Sequence, residues 1–391
     1  MTLRVLALST LFPDMTRPNF GVFVERQYRE LASRDGVEVT MVAPVGIAPW
    51  PLSRHRHYAP LAALPREERW RNLSVHRPRF TVIPRLGGWF TIASMTHAVW
   101  PLVRALHAAE PFDVIDASFF YPDGPVARTL ARRLGIPYSV KARGADIHYW
   151  GRLPATRKAV LAAGRDAAGL LSVSEAMKRS MVAQGMEADK IRVHYTGVDL
   201  DRFAPQDRAA AKAQLNLEGP VVLCVGNLIE RKGQDLLIRA LPDLPRVTLL
   251  LAGHGSDRAA YQKLAEEIGV AERVGFLGAV PHEDLPALYC AADVMALPSA
   301  SEGLANAWVE ALACGTPIAI SDVGGARELL TDAQAGRIVE REPEALAAAL
   351  REMLAQAPNR TAIRKSALRF TWATNGDALV DHLSAIAGKS L

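Results

Sequence analysis

Short apolar runs of strand length recur along the chain, at Leu3 to Leu8, Val37 to Val42, Val114 to Ala117, Tyr138 to Lys141, Gly169 to Val173 and Ile191 to His194. Unbroken runs of this kind belong in a parallel sheet buried on both faces. Stretches with helical periodicity separate them: Val22 to Ala32, Thr91 to Ala108, Asp123 to Leu134, Thr156 to Ala168 and Ser174 to Gln184. Residues 45–84 are irregular and proline-rich, which predicts loops and short strands. The alternation stops at Asp201 to Pro220, where Pro205, an alanine-rich charged helix and Gly219-Pro220 read as a linker. It restarts with strands at Val221 to Val225, Val247 to Ala252 and Val274 to Gly278, and with helices at Gln234 to Ala240, Asp257 to Ile268 and Leu285 to Ala291. Strand–helix alternation to about Ile338 predicts α/β architecture, with two doubly wound domains facing across a cleft and ligands at the carboxyl ends of the strands. The amphipathic tail from Phe370 to Ile386 follows no strand and is expected to dock on the first half.

The stretch Ala292 to Ile320 organises the second half. Val294 to Leu297 is a buried strand, and Pro298-Ser-Ala-Ser301 supplies turn and cap chemistry. Ala307, Val309, Leu312 and Ala313 give helical periodicity, which Gly315 and Pro317 end. Glu302 stands where the loop becomes helix, and Glu310 lies further along. A rise of about 1.5 Å per residue puts roughly 12 Å between the two carboxylates. That is about the span from the ribose of a nucleotide sugar, across its diphosphate, to the sugar. The intervening helix N-terminus suits a diphosphate. The same positions equally fit a capping acid and a solvated helix glutamate, so spacing alone leaves both readings open.

With 391 residues the chain has room for two domains, each with its own core. At 49% hydrophobic and 22% charged, its composition is that of a soluble globular protein. Cys224, Cys290 and Cys314 lack metal-like spacing and read as reduced core residues of a cytosolic protein. The first strand is followed by no small-residue cleavage site, so a signal peptide is not expected. No run approaches the roughly 20 apolar residues of a spanning helix. The net charge is only +5 but is unevenly placed. Arg54, His55, Arg56, His57, Arg66, Arg69, Arg71, Arg77, Arg79 and Arg85 crowd one segment with Trp50, Trp70, Trp89, Phe90 and Trp100. Such a mixture suits an anionic membrane surface or an acidic acceptor. It fits equally an arginine-rich solvated face over core aromatics. Nucleic acid is disfavoured because no recognition motif accompanies the charge.

No G-x-G-x-x-G fingerprint occurs, since Arg258 falls where a third glycine would follow Gly253-His254-Gly255, and there is no P-loop. A dehydrogenase or an NTPase is therefore disfavoured. The glutamates, in Pro-Ser-Ala-Ser-Glu302-Gly and Glu310-Ala-Leu-Ala-Cys-Gly-Thr-Pro, resemble the E-x7-E motif of the retaining, GT-B-fold glycosyltransferases of family 4, glycosyl transferases group 1. Gly226-Asn-Leu-Ile-Glu-Arg231-Lys232-Gly233 resembles that family's diphosphate loop, and Gly253-His-Gly and Phe276-Leu-Gly278 its nucleoside-side turns. Arg143-Gly144-Ala-Asp146 is similar to its H-G-x-D segment, and Thr196-Gly-Val-Asp199 with Phe203 to the N-G-V-D and phenylalanine that open its linker. Phe12-Pro through Gly21 is similar to the glycine loop before its first helix. Three positions depart from the pattern: Asn227 replaces an arginine, Arg143 a histidine and Thr196 an asparagine.

The resemblance implies a GT-B architecture of two Rossmann-like domains. Residues 1–203 would form the acceptor domain, with the helix at 371–391 docking back on it, and residues 204–370 the nucleotide-sugar domain. It implies a cytoplasmic hexosyltransferase acting on a nucleotide-diphosphate sugar and a saccharide or lipid-linked acceptor. The arginines and tryptophans between Trp50 and Trp100 add the expectation of a lipid-linked acceptor, with peripheral attachment at the inner face of the cytoplasmic membrane; a soluble acceptor is the competing reading. The alternative is a nucleotide-sugar epimerase or hydrolase on the same fold. Donor-binding positions carried over are Gly21, Asn227, Arg231, Lys232, Gly253, Gly255, Leu277, Glu302, Gly303, Leu304, Ala305 and Glu310, with Glu310 on the ribose and Glu302 on the transferred sugar. Lys232, Glu302, Arg143 and Asp146 are the candidates for the chemistry. Arg143 cannot act as a base, and Asp146 equally fits a carboxylate capping a turn. Neither a metal nor a cofactor is expected, since Lys232 and Arg231 in the diphosphate loop already supply the positive charge. His148, His254 and His282 read as surface or loop residues.

Overall fold

The computed structural model describes residues 2–83 and 87–389, so Arg85 lies outside the described residues. The chain divides into two compact units, Met1–Gly197 with Trp372–Leu391, and Val198–Thr371. Val198–Phe203, expected with the first domain, lies with the second. The reason is local: Val198 N–H donates to the Phe370 carbonyl at 2.7 Å, and the Phe203 ring meets those of His282 and Tyr289.

In the first unit the strands are β1 (Leu3–Leu8), β2 (Val37–Val42), β3 (Val45–Ile47), β4 (Glu67–Trp70), β5 (Leu73–His76), β6 (Arg79–Thr81), β7 (Val114–Ala117), β8 (Tyr138–Ala142), β9 (Gly169–Ser172) and β10 (Ile191–Val193). Eight of them form one sheet in the order β10-β9-β8-β7-β1-β2-β5-β4. All its pairings are parallel except β4 with β5, and β3 pairs with β6 separately. The central strands are buried because their apolar side chains point to both faces, each covered by helices. The helix Trp372–Ala387 packs on the helix Val22–Ala32, where Leu379 and Leu383 join Val24, Tyr28 and Leu31 in the core.

Order reverses between β1 and β7, the switch point at which open α/β sheets bind ligands. Gly21 opens the helix Val22–Ala32 there at φ 72°, and a Cβ on it would lie 2.6 Å from the Leu11 carbonyl. Only glycine accepts both the left-handed backbone and the close approach.

The arginine-rich segment divides into two kinds of side chain. Arg77 is buried, pairs with Glu68 at 2.5 Å, donates to the Pro13 carbonyl and lies over the Phe12 and Trp70 rings. Arg79 donates to the Arg77 and Leu64 carbonyls. These two hold the fold together. Arg54, His55, Arg56, His57, Arg66, Arg69 and Arg71 are exposed. Trp50 and Trp89 are exposed too, at 75% and 77%.

The second unit holds β11 (Val221–Val225), β12 (Thr248–Ala252), β13 (Val274–Gly278), β14 (Val294–Leu297), β15 (Ile318–Ile320) and β16 (Gly336–Ile338), in the order β13-β12-β11-β14-β15-β16. Every pairing is parallel, which is the Rossmann arrangement with its switch point between β11 and β14. Asp293, just before β14, ties the linker helix Arg208–Gln214 to this sheet by accepting from Arg208, Lys212 and the Val221 N–H. No helix among the described residues is long and apolar enough to cross a membrane.

Candidate active site

The two loops that leave β11 and β14 at the switch point carry the residues singled out in the second unit. After β11 the chain runs through Gly226 and Asn227 into a single 3-10 turn, Glu230–Lys232. Gly233 ends the turn at φ 73°, and a Cβ there would stand 2.5 Å from the Pro298 carbonyl. The lack of a side chain lets this loop lie flat against the one after β14, where Ala300 N–H donates to the Arg231 carbonyl at 2.7 Å. Lys232 Nζ consequently reaches Glu302 Oε1 at 2.5 Å. Arg231 lies 3.6 Å from the same oxygen and donates to the Ser301 carbonyl. Both cations therefore converge on Glu302. Asn227 is exposed, and its backbone carbonyl accepts from the Gln234 side chain and from Ile229 N–H.

The loops after β12 and β13 close the same edge by backbone contact. Gly253 N–H donates to the Gly278 carbonyl at 2.7 Å, and Leu228 N–H to the His254 carbonyl at 3.0 Å. A Cβ on Gly253 or Gly255 would strike the Gly226 or Leu228 carbonyl. Leu277, at the end of β13, is 40% exposed beside them.

Glu302 is not part of a helix. The helix following it is Asn306–Ala313, with Ala305 as its N-cap, so the rise expected between two glutamates on one helix does not apply. Gly303, Leu304 and Ala305 all precede that helix. Tertiary contact keeps them out of it: the Gly303 carbonyl accepts from Gly325 N–H at 2.7 Å, and Gly324 lies against the Glu302 and Gly303 carbonyls too closely for a Cβ. The first N–H groups of Asn306–Ala313 have no acceptor in their own helix and carry its positive end.

Glu310 sits on this helix, buried, and is not a solvated surface group. Tyr289 OH donates to its Oε2 at 3.0 Å, and His282 Nε2 lies 2.9 Å from its Oε1. His282 lies in the loop before the helix Leu285–Ala291, as expected, and is there a half-buried partner of Glu310. Burial and the neighbouring carboxylate hold the Tyr289 hydroxyl well above its usual range, so it stays protonated.

In the first unit the residues after β8 gather round the other switch point. The Asp146 carboxylate accepts from the backbone N–H groups of Arg143, Gly144 and Phe120, at 2.7 to 3.2 Å. Its oxygens are thus engaged in turning the chain out of β8. Burial raises its pKa nonetheless. Arg143 donates to the Ser118 carbonyl at 2.8 Å and the Gln27 side chain at 3.1 Å, under the Phe23 ring. Burial brings it down to about 10, where it still carries its charge at neutral pH. Sequence reasoning passed over three neighbours. Asp123 accepts from Thr10 N–H and is pushed up to about 7 by burial. Tyr28 donates to Asp116 at 2.9 Å. Lys141, driven well down by burial, donates to His194 Nδ1 at 2.7 Å, since His194 Nε2 holds its proton against the Asn375 carbonyl. Among the described residues no group of three or more His, Cys, Asp or Glu could hold a metal ion.

Residues 205–370 match the family described as Glycosyl transferases group 1, and residues 20–197 the Glycosyl transferase 4-like domain. The chain is 35% identical over 294 residues to the GDP-mannose-dependent alpha-(1-6)-phosphatidylinositol monomannoside mannosyltransferase of Mycolicibacterium smegmatis, covering 69% of this chain and 76% of that protein. It is 34% identical over 305 residues to the D-inositol 3-phosphate glycosyltransferase of Mycolicibacterium gilvum, covering 71% and 67%. Among solved structures, sucrose-phosphate synthase from Thermosynechococcus elongatus matches with a TM-score of 0.77 at 25% identity, covering 98% of this chain and 96% of that one. Anabaena HepE, solved with UDP and glucose, matches at 0.74 and 23% identity over 98% and 100%, a likeness of fold. Two Rossmann-like units with this loop chemistry make a GT-B glycosyltransferase. The chain belongs to the glycosyl transferases group 1, glycosyltransferase family 4.

Proposed function

We infer that the enzyme moves a hexosyl group from a nucleoside diphosphate sugar, with retention of configuration, to a hydroxyl of a saccharide or lipid-linked acceptor in polysaccharide or glycolipid synthesis. The observation that carries this reading is the convergence of Lys232 and Arg231 on Glu302 beside the N-terminus of Asn306–Ala313. Two cations and a row of N–H groups stabilise the charge that develops on a departing diphosphate without reorganising. They supply the role a metal ion would otherwise fill, so the donor would bind without one. Glu302 orients the transferred sugar and Glu310 the ribose, both positioning roles. Gly253, Gly255 and Leu277 shape the donor's surroundings in the second unit. Asp146 is bound by backbone and Arg143 is a fixed cation, which favours retention by attack on the leaving-group face over a protein nucleophile. The acceptor belongs to the unit of residues 1–197 with the terminal helix, and the donor to the unit of residues 198–371.

A lipid-linked acceptor at the inner membrane surface is supported by the name of the Mycolicibacterium smegmatis relative and by the exposed Trp50, Trp89 and arginines. The test is a thermal-shift panel of nucleoside diphosphates and their sugars with and without EDTA, followed by analysis of the product's anomeric configuration. Release or epimerisation of the sugar at full rate without an acceptor would make the protein a hydrolase or epimerase instead.

A further inference from the structure

Glu310 is buried, and its neighbours determine what it can still bind. A carboxylate offers two lone pairs on each oxygen. Oε2 accepts from Tyr289 OH at 3.0 Å, and Oε1 accepts from His282 Nε2, which must carry the proton to face a carboxylate, at 2.9 Å. One lone pair per oxygen is left. The Glu310 side chain is 11% exposed, so those two acceptor positions open through a small window.

The two donors are themselves held in place. Tyr289 lies on the helix Leu285–Ala291, and its own carbonyl accepts from Thr316 Oγ1 at 2.6 Å. The buried Phe203 ring meets the His282 ring edge-on at 5.1 Å and lies 6.1 Å from the Tyr289 ring. Rotation of either donor would leave Glu310 with an unmatched buried lone pair, which is costly.

We propose that Tyr289 and His282 are positioning residues that leave Glu310 one open acceptor site per oxygen, matched to the two hydroxyls of a ribose, so that the enzyme selects ribonucleoside over 2′-deoxyribonucleoside diphosphate sugars. This rests on the reading of Glu310 as the ribose carboxylate. A 2′-deoxyribose fills one site and strands the other in a nearly closed pocket. Sites built to bind a hydroxyl reject the analogue lacking it for this reason.

The experiment is calorimetric titration of the full chain with UDP and 2′-deoxy-UDP, and with GDP and 2′-deoxy-GDP. The wild type should bind its ribonucleotide about tenfold or more tightly than the deoxy form. Tyr289→Phe should weaken the ribonucleotide about fivefold to tenfold, spare the deoxynucleotide and bring their ratio to about two or less. His282→Ala should act in the same direction and serves if Tyr289→Phe does not fold, whereas His282→Gln, which keeps a donor, should restore the preference. No discrimination by the wild type, or equal losses for both sugars in the variants, would overturn the inference and leave the transferase reading standing. Failure of the wild type to bind either UDP or GDP would overturn the donor-site reading and this inference with it.

Discussion

At the scale of single residues, the proposed donor site is a matter of which charge faces which. Lys232 stands 2.5 Å from Glu302, with both side chains largely buried, so a diphosphate bound as proposed would share that cation with a carboxylate. Lys232→Ala should raise the donor KM or lower kcat by roughly tenfold to a thousandfold, as for losing a charge on a developing anion. Steady-state kinetics check this, and unchanged values would put the diphosphate elsewhere. The two glutamates should separate cleanly. Glu310→Gln should weaken nucleoside diphosphate binding, while Glu302→Gln should retain it and reduce sugar transfer. Matching affinity losses in calorimetry would refute that division. The loops that carry these charges were legible in the sequence because their chemistry is local, packed into Gly226–Gly233 and Ser301–Glu310. The partners of Glu310 were not. Tyr289 and His282 reach it from 21 and 28 residues away, and nothing near Glu310 in the chain announces them.

At the scale of elements, strands and helices followed from apolar runs and periodicity, but the start of the helix after β14 did not. Local pattern allowed Glu302 in its first turn; the Gly303–Gly325 hydrogen bond and the close approach of Gly324 place the start at Asn306 instead. Gly233 works similarly. Gly233→Ala combines a left-handed non-glycine residue, costing about 1–2 kcal/mol, with a collision against Pro298. It should lower Tm and raise donor KM together, by moving the Lys232 turn. A variant with wild-type Tm and KM would show that the turn tolerates displacement.

The terminal helix Trp372–Ala387 has a pH dependence built into its seat. His382 packs on Gly169, where a Cβ would come within 2.5 Å of its ring, and makes a 2.9 Å hydrogen bond to Ser139. Burial takes it down from 6.5 to about 4, and His194 shifts in the same direction. Below pH 6.5 the unfolded chain gains a proton that folded His382 refuses until about pH 4. The contribution of His382 to stability is therefore full above pH 6.5 and falls between those limits, by up to about 3 kcal/mol at 1.36 kcal/mol per unit. Hydrogen exchange in β8 and β9 should accelerate as pH drops through that window after correction for intrinsic rates, and less so in His382→Gln. Parallel profiles for the two proteins would assign the acid sensitivity to other groups.

At the scale of the whole molecule, composition announced a basic, aromatic segment but could not say which arginines were free. Arg77 and Arg79 serve the interior because carbonyls and Glu68 surround them, whereas Arg54, Arg56, Arg66, Arg69 and Arg71 face solvent in the same unit as the exposed Trp50 and Trp89. Exposed arginines near an anionic surface add about 1 kcal/mol each, weakened as salt shortens the screening length to about 8 Å at physiological strength and less above it. Indole rings strengthen such attachment by settling at the interface. Sedimentation with anionic vesicles should therefore carry the protein down at low salt and release much of it at high salt, with neutral vesicles binding weakly throughout. Replacing Trp50 and Trp89 together with alanine should reduce the salt-resistant fraction, and replacing Arg54 and Arg56 the salt-sensitive one, without altering donor binding in the second unit. Absence of binding to anionic vesicles at low salt would remove the membrane from the proposal and leave a soluble saccharide as the acceptor.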